Sequence, residues 1–246
     1  MSPPRFFIDV PLAVGAEIGL PEDLAHHALR VLRLRSGAPI ILFNGRGGEF
    51  GAAFGADGAR ALARIVAFDS IERESPLQLT LLQALVAGDK LDWIVEKAVE
   101  LGVTRIFIAP TQRSVVRLDA ARGARRLVHW ARIARAACSQ CGRNRVPVID
   151  YCTTFDAALA AIDSDQPRLL LRPNPAGAPL PTVPERRAAL AVGPEGGFTD
   201  DEATQAERAG FIPVQLGPRI LRTETAGLAA LAALQASSGD LAARTG

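Results

Sequence analysis

Residues 192–199 read VGPEGGFT and residues 216–226 read LGPRILRTETA, and these two glycine-rich stretches carry most of the functional information in the chain. Each follows an apolar run typical of a strand, over 188–192 and 211–216, and each leads into a predicted helix. Glycine lets main-chain groups approach a ligand closely because it has no Cβ. Neither stretch is a P-loop or a dinucleotide-binding fingerprint. We therefore expect a pocket that holds a small molecule with main chain, beside charges from Glu195, Arg222 and Glu224.

The rest of the chain predicts two domains. From Leu77 onward, predicted strands and helices alternate, which indicates an α/β domain with mostly parallel strands. One helix is expected over 119–142, and 173–184 is a proline-rich loop. In residues 1–72, short β-like runs surround one helix that begins at Pro21 and ends before Gly37, and Asn44–Gly48 is a hairpin signal. This part predicts a small β-barrel. The charged segment 71–76 is the expected linker, so the domains are predicted as 1–72 and 77–246.

Composition excludes several classes of protein. The chain has 246 residues, of which 48% are hydrophobic and 22% charged, enough to bury a core. No apolar segment reaches the roughly 18–20 residues that cross a bilayer, and the first residues lack a signal-peptide pattern. Three cysteines suit a reducing compartment, so we expect a soluble cytoplasmic protein. Cys138 and Cys141 form a C-x-x-C motif without a second pair at zinc-ribbon spacing, and we expect no metal.

The net charge of +2 hides a strongly basic segment. Between Arg113 and Arg145 there are nine arginines and one acid, Asp119. On a helix, five basic side chains of this segment share one face. Arginine pairs bidentately with phosphate, so a face with so few acids favours nucleic-acid binding over the alternative, a solvated helix surface. The face consists of Arg122, Arg125, Arg126, His129 and Arg132.

Several blocks in order point to one family. The two glycine-rich stretches closely resemble the signature of the bacterial 16S ribosomal RNA uridine-N3 methyltransferases, a branch of the SPOUT (trefoil-knot) superfamily. Residues 27–33 (HALRVLR), 97–103 (KAVELGV), 112–114 (QRS) and 140–143 (QCGR) resemble that family's other blocks. The resemblance covers nearly the whole chain. It implies an N-terminal PUA-like RNA-binding β-barrel, a C-terminal knotted α/β domain whose mostly parallel sheet is flanked by helices, and a homodimer.

The same resemblance implies the chemistry. The cofactor is S-adenosylmethionine, with S-adenosylhomocysteine as product and no metal. We hypothesise that Glu195 or Glu224 accepts the uracil N3 proton and that Arg222 stabilises negative charge on the uracil oxygens. Alternatively, each acid caps loop amides or pairs with an arginine. The residues expected to hold the cofactor are Leu171, Gly193, Gly196, Gly197, Leu216, Gly217, Ile220 and Leu221.

The expected partner is small-subunit ribosomal RNA, free or in the assembled 30S subunit, rather than DNA or a membrane. Two other functions stay open: another knotted methyltransferase activity, on tRNA or on a ribose 2′-oxygen, and a non-catalytic RNA-binding factor of ribosome assembly. The methylated nucleoside separates the first, and binding of S-adenosylmethionine separates the second. The expected RNA contacts are Arg5, His27, Arg30, Arg33, Arg113, Arg122, Arg125, Arg126, Arg132 and Arg143.

Overall fold

A seven-stranded sheet, parallel throughout, forms the larger part of the computed structural model, which describes residues 2–58, 60–173 and 178–241. The chain divides into two units: Met1–Glu74 with Cys138–Val146, and Ser75–Ala137 with Pro147–Gly246. Residues 138–146, which the sequence placed in the second domain, thus group with the first unit. The domain boundaries given above stay a prediction.

The first unit contains a five-stranded mixed sheet in the order β1-β3-β4-β5-β2. Strands β3, β4 and β5 form an antiparallel meander, and β1 pairs with β3 in parallel. Its core is apolar, with Phe6, Leu42 and Phe54 almost completely buried. The strands are β1 (Arg5–Phe7), β2 (Glu17–Gly19), β3 (Pro39–Phe43), β4 (Glu49–Asp57) and β5 (Arg60–Asp69).

The helix of the first unit differs from its prediction. Helix α1 covers only Glu22–His26 and continues as a π-helical turn over His27–Val31. The chain leaves the helical conformation at Arg33, whose φ is +53°. A helix reaching Arg35 was therefore wrong, because residue 33 adopts the left-handed region, which helices cannot contain.

The sheet of the second unit has the order β10-β12-β9-β11-β6-β7-β8. Parallel sheets are covered on both faces and their strands are apolar throughout; accordingly, the residues of β11 from Ala188 to Val192 are all buried. The trefoil knot stays a prediction of the resemblance. The strands are β6 (Gln78–Ala84), β7 (Val103–Ala109), β8 (Val148–Tyr151), β9 (Arg168–Leu171), β10 (Ala178–Pro179), β11 (Arg187–Val192) and β12 (Phe211–Gln215).

Five helices follow these strands: α2 (Gly88–Glu100), α3 (Ala120–Cys141), α4 (Phe155–Ala160), α5 (Asp200–Arg208) and α6 (Thr223–Ser238). Helix α2 ends before Gly102, whose φ of +80° suits a C-terminal glycine. Of the predicted loop 173–184, residues 174–177 lie outside the described residues. No helix in the described part of the chain is both long and apolar enough to cross a lipid bilayer.

Candidate active site at the ends of three strands

A cavity of about 1130 Å³ lies in the second unit, where β9, β11 and β12 end. These strands are neighbours in the order β12-β9-β11, so their carboxyl ends meet at one edge of the sheet, the usual place for a ligand in an open α/β fold. The structure brings together the eleven side chains and main-chain positions that the sequence assigned to cofactor and catalysis. The lining includes Leu171, Gly193, Glu195, Gly196, Gly197, Leu216, Gly217, Ile220, Leu221, Arg222 and Glu224.

Three glycines in this wall are required for two different reasons. A Cβ on Gly193 would lie 3.1 Å from the backbone nitrogen of Phe198 and 3.2 Å from the carbonyl carbon of Gly197, so a side chain there would force this backbone to shift by a few tenths of an ångström. Gly197 and Gly217 instead have open space around them but adopt φ values of +69° and +66°. The left-handed conformation favours glycine at these two positions.

Two contacts hold the loop of residues 193–199 from the side of residues 112 and 113. Arg113 donates a hydrogen bond from Nη1 to the carbonyl oxygen of Gly196, at 2.8 Å. Thr199 and Glu202 form a capping box at the start of α5, and Glu202 also accepts a hydrogen bond from the backbone of Gln112 at 2.7 Å. Arg113, expected to contact RNA, is exposed and braces this loop at the cavity wall.

Glu195 is held as an anion by Lys90, a residue of α2. Lys90 Nζ lies 2.9 Å from Glu195 Oε1. Partial burial alone would raise the pKa of Glu195, but the hydrogen bond from Lys90 and backbone hydrogen bonds from Glu195 itself and from Ala87 outweigh it and lower the pKa. Because Ala87 is the N-cap residue of α2, the carboxylate also lies beside the positive end of that helix.

Glu224 has a different environment in the same wall. Its Oε2 atom is buried, and among the described residues no donor forms a hydrogen bond with it. The nearest cation in an ion pair with it is Lys90, whose Nζ lies 3.9 Å away. The pKa of Lys90 is raised, first by its hydrogen bond with Glu195, whereas the charge of Arg222 acts in the opposite direction. One ammonium group therefore stands between two carboxylates, close to an exposed arginine.

The basic face of α3 is partly neutralised by an acid that the sequence analysis missed. Asp92 of α2 pairs with Arg126 at 3.4 Å and with His129 at 2.7 Å. Arg122 lies 3.6 Å from Asp119, one turn earlier. Arg125 and Arg132 are exposed. Asp92 belongs to another helix, so only a prediction of helix pairing could have found it.

In the first unit, two of the expected RNA contacts have internal partners. Arg143 is 4% exposed and its Nη2 lies 2.6 Å from Glu74 Oε2. Arg5 pairs with Glu49 and donates to Asn144 Oδ1 at 2.6 Å. The expectation that these two arginines present a surface to RNA is therefore corrected: acids distant in sequence neutralise them, and both guanidinium groups stabilise the fold.

The remaining predicted RNA contacts of the first unit, His27, Arg30 and Arg33, are exposed. His27 and Arg30 belong to the π-helical turn, and the ring of His27 meets Phe6 edge-on. A groove of about 820 Å³ lies beside this turn and is lined in part by His26, Arg30 and Arg60. His27, Arg30 and Arg33 therefore remain accessible on the surface of the first unit.

In the described residues, the C-x-x-C motif is not joined by further potential metal ligands. There, no group of three or more histidine, cysteine, aspartate or glutamate side chains is arranged to hold a metal ion. Burial raises the pKa of the Cys138 thiol to about 12, which disfavours the thiolate that a metal needs. Within the described residues, Cys138, Cys141 and Cys152 form no disulfide bond.

Comparison with known proteins gives the class first. The model of an RNA methyltransferase domain matches residues 73–235, and that of an RNA methyltransferase PUA domain matches residues 20–66. A solved protein from Legionella pneumophila in complex with SAM is 34% identical, with a TM-score of 0.90 over 98% of this chain and 100% of that one. A cavity with glycine-rich walls at the ends of parallel strands thus belongs to an RNA methyltransferase fold.

The particular family follows from two relatives with the same name. The ribosomal RNA small subunit methyltransferase E of Buchnera aphidicola is 30% identical over 96% of this chain and 94% of its own length. The structure of that enzyme from Neisseria gonorrhoeae, bound to S-adenosyl methionine, is 40% identical, with a TM-score of 0.89 over 97% of this chain and 99% of that one. The chain belongs to the ribosomal RNA small subunit methyltransferase E family.

Proposed function

We propose that this protein transfers a methyl group from S-adenosylmethionine to N3 of a uridine in small-subunit ribosomal RNA. The observation that carries the proposal is the convergence of both glycine-rich loops, two carboxylates and an arginine on one cavity. The SAM-bound relatives support the cofactor, and the name of the family supports the RNA.

The cavity fits such a cofactor. Small-molecule pockets usually measure roughly 300–1,000 Å³, so a cavity of about 1130 Å³ has room for a ligand of cofactor size. The close approach at Gly193 and the positive φ of Gly197 and Gly217 create walls of exposed main chain. The eight predicted positions from Leu171 to Leu221 would hold the cofactor, whose sulfonium supplies an electrophilic methyl group when bound.

The residues of the site then have to make N3 nucleophilic. N3 lies on the pairing edge of uracil, so the target must be unpaired or flipped out of its stack. When the N3–H bond breaks, the proton goes to a carboxylate and the electron pair stays on the ring, spread onto its two oxygens. Arg222, exposed at the cavity wall, is suited to stabilise that charge.

The two acids differ in the hydrogen bonds that their carboxylates already accept. Glu195 already accepts hydrogen bonds from Lys90 and from backbone groups, and each of these lowers the basicity of its carboxylate. Glu224 Oε2 accepts none from the described residues. We therefore assign proton acceptance to Glu224, and to Glu195 the task of joining its loop to α2.

The test of the function is the identity of the methylated nucleoside. The purified protein is incubated with labelled S-adenosylmethionine and either free small-subunit ribosomal RNA or assembled 30S subunits, and the RNA is digested for mass spectrometry. N3-methyluridine is the expected product. A ribose-methylated product, or methylation of tRNA alone, would indicate the rival activity, and no binding of S-adenosylmethionine would indicate a non-catalytic RNA-binding factor.

The assignment of Glu224 is tested by single-turnover methylation. Glu224→Gln should lower the rate by about 100-fold or more, the usual size of a general-base contribution. Glu195→Gln should lower the rate by less than about ten-fold. It should also reduce thermal stability, since it disturbs the contact of the Glu195 carboxylate with the first turn of α2. Glu207→Gln, on the exposed side of α5, is the control. A large loss in Glu195→Gln together with a small one in Glu224→Gln would reverse the assignment.

The partners and the domain roles belong to the same proposal. Residues 1–72 supply a PUA-like RNA-binding domain and residues 77–246 the methyltransferase domain, as the two family matches support. Two copies form a homodimer that acts in the cytoplasm on free ribosomal RNA or the 30S subunit. The exposed apolar side chains of the second unit, including Trp93, Val128 and Ile220, are candidates for the surface between the copies. Sedimentation at several concentrations tests it, and a monomer throughout would refute it.

A further inference from the structure

Gln83 is a buried polar residue near the carboxyl end of strand β6. It lies in β6 with no exposed surface, next to Leu81 and Leu82, which are also fully buried. Its Nε2 donates to the carbonyl oxygen of Ala84 at 3.2 Å and to the hydroxyl of Thr223 at 3.1 Å. Its Oε1 is buried, and no donor from the described residues reaches it. Burying an unbonded carbonyl destabilises the fold, so packing alone gives no reason for a glutamine here.

Thr223 connects this glutamine to the cavity wall. Its hydroxyl donates to the carbonyl oxygen of Gly193 at 2.6 Å. A hydroxyl has one hydrogen, and Thr223 uses it to donate to Gly193. The oxygen of Thr223 therefore accepts the bond from Gln83, and this keeps the hydroxyl hydrogen directed at the carbonyl oxygen of Gly193. A directed chain of hydrogen bonds therefore runs from β6 through the first residue of α6 to the end of β11. Both Thr223 and Gly193 line the cavity.

This chain of hydrogen bonds joins the two glycine-rich loops at one point. Gly193 begins the first loop, immediately after β11, and Thr223 ends the second loop, at the start of α6. Helix α6 approaches closely here because Gly227 has no side chain; a Cβ there would lie 3.3 Å from Val192 Cγ2. A small rotation of Thr223 would change the separation of two loops that both supply main chain to the same ligand.

We propose that Gln83 is a positioning residue of the cofactor site, which acts through Thr223 to hold the two loops at the spacing that S-adenosylmethionine requires. This inference rests on the proposed function for the identity of the ligand. Gln83 does not touch the cavity, and its effect on binding is indirect. Its unbonded Oε1 lowers the stability of the fold, so the contribution of this glutamine lies in its contact with Thr223.

The test compares cofactor affinity with thermal stability in the full-length protein. In Gln83→Leu, calorimetric titration should show S-adenosylmethionine binding about ten-fold more weakly, the size typical of losing one coupled contact. The melting temperature should stay within about 2 °C of the wild type or rise, because the buried unbonded oxygen is removed. In steady state, the KM for S-adenosylmethionine should increase more than kcat decreases. If Gln83→Leu does not fold, Gln83→Met carries the same expectations.

Gln235 is a matched control in the same unit. It is also fully buried, but it bonds Ser75 at 2.6 Å and the carbonyl of Leu101 at 2.9 Å. It lies about 18 Å along α6 from Thr223, at 1.5 Å per residue. Gln235→Leu should lower the melting temperature and leave the affinity for S-adenosylmethionine within about two-fold, since its partners belong to the fold and not to the cavity.

A double variant tests whether Gln83 acts through Thr223. Thr223→Val removes the hydroxyl and Thr223→Ser keeps it, so only the first should weaken binding. Gln83→Leu combined with Thr223→Val should bind no more weakly than Thr223→Val alone. Additive losses, or a Gln83→Leu variant with wild-type affinity, would overturn the inference. A wild-type protein that does not bind S-adenosylmethionine would refute the proposed function itself, which is a distinguishable result.

Discussion

Replacing Gly193 by alanine adds one methyl group at the most crowded point of the cavity wall. The new Cβ would lie 3.1 Å from Phe198 N, 3.2 Å from Gly197 C and 3.2 Å from Phe198 Cδ2. Two of these atoms belong to a backbone that Arg113 and the Thr199 capping box hold in place, so the loop cannot move away easily. Overpacking of this kind costs about 1–3 kcal/mol. For a protein of this size the melting temperature should fall by about 2–12 °C.

The affinity for the cofactor should fall together with the stability, because the displaced atoms are the main chain proposed to hold S-adenosylmethionine. We expect calorimetric titration of Gly193→Ala to show binding weakened by more than about ten-fold, since a displacement of the binding groups weakens every contact at once. Thermal unfolding followed by circular dichroism gives the stability change. A variant that melts and binds like the wild type would refute the close-approach reasoning.

Gly197 provides the comparison for this prediction. Apart from its two chain neighbours, no atom of the described residues lies within 4 Å of its Cβ position, but its φ is +69°. Gly197→Ala should cost about 1–2 kcal/mol through backbone strain alone. Asparagine tolerates the left-handed region, so Gly197→Asn should recover part of that loss, whereas Gly193→Asn should be worse than Gly193→Ala. Asparagine should therefore recover stability at Gly197 but not at Gly193.

Three further predictions concern other parts of the chain. The double variant Arg125→Ala, Arg132→Ala should weaken RNA binding and reduce the slope of log affinity against log salt by about 1.4–1.8, because binding releases fewer counterions when two phosphate contacts are lost. An unchanged slope would exclude these side chains from the RNA surface. For Glu49, burial alone would raise the pKa, but hydrogen bonds from its two arginine partners hold it below 4.5. Its contribution to stability is therefore present above about pH 4.5 and lost as the pH falls through the folded pKa; Glu49→Gln should be less stable than the wild type at pH 7, with a difference that shrinks in acid unfolding experiments, and a constant difference would contradict the assignment. Glu202→Ala removes the acceptor of Gln112 and one half of the capping box, so it should cost about 2–4 kcal/mol in denaturant unfolding; a cost below about 0.5 kcal/mol would show that the box contributes little.

The sequence predicts those features that depend on neighbours along the chain. The apolar runs before Gly193 and Gly217 form strands β11 and β12, and the stretches after them lead into α5 and α6, because local periodicity and glycine conformation determine both. The convergence of the loops on one cavity follows from the parallel arrangement, since the carboxyl ends of neighbouring parallel strands lie at one edge.

Features set by contacts between distant residues could not be predicted in this way. Arg143 belongs to a basic run, yet Glu74, 69 residues earlier, neutralises it. Glu195 pairs with Lys90, 105 residues away, and nothing in the local pattern of either loop indicates this partner. Charge patterns along a sequence report how basic a segment is, but the fold decides which charges remain exposed.

The two glycine-rich loops differ in how firmly they are held, and this difference bears on how the site works. Three hydrogen bonds hold the first loop. Gly193 accepts one from α6, Glu195 accepts one from α2, and Gly196 accepts one from the segment after β7. A loop fixed in its binding conformation loses little entropy when a ligand binds. In the second loop, Ile220 is 82% exposed. The hydrogen bond to Gly193 comes from Thr223, at the end of this second loop. The first loop therefore presents a preformed surface to the cofactor, while the second carries Arg222 and leads directly to Glu224, the two groups assigned to the uracil. Because Thr223 stands between these two residues and bonds Gly193, the position of the proposed catalytic groups depends on the same contact that fixes the spacing of the cofactor loops.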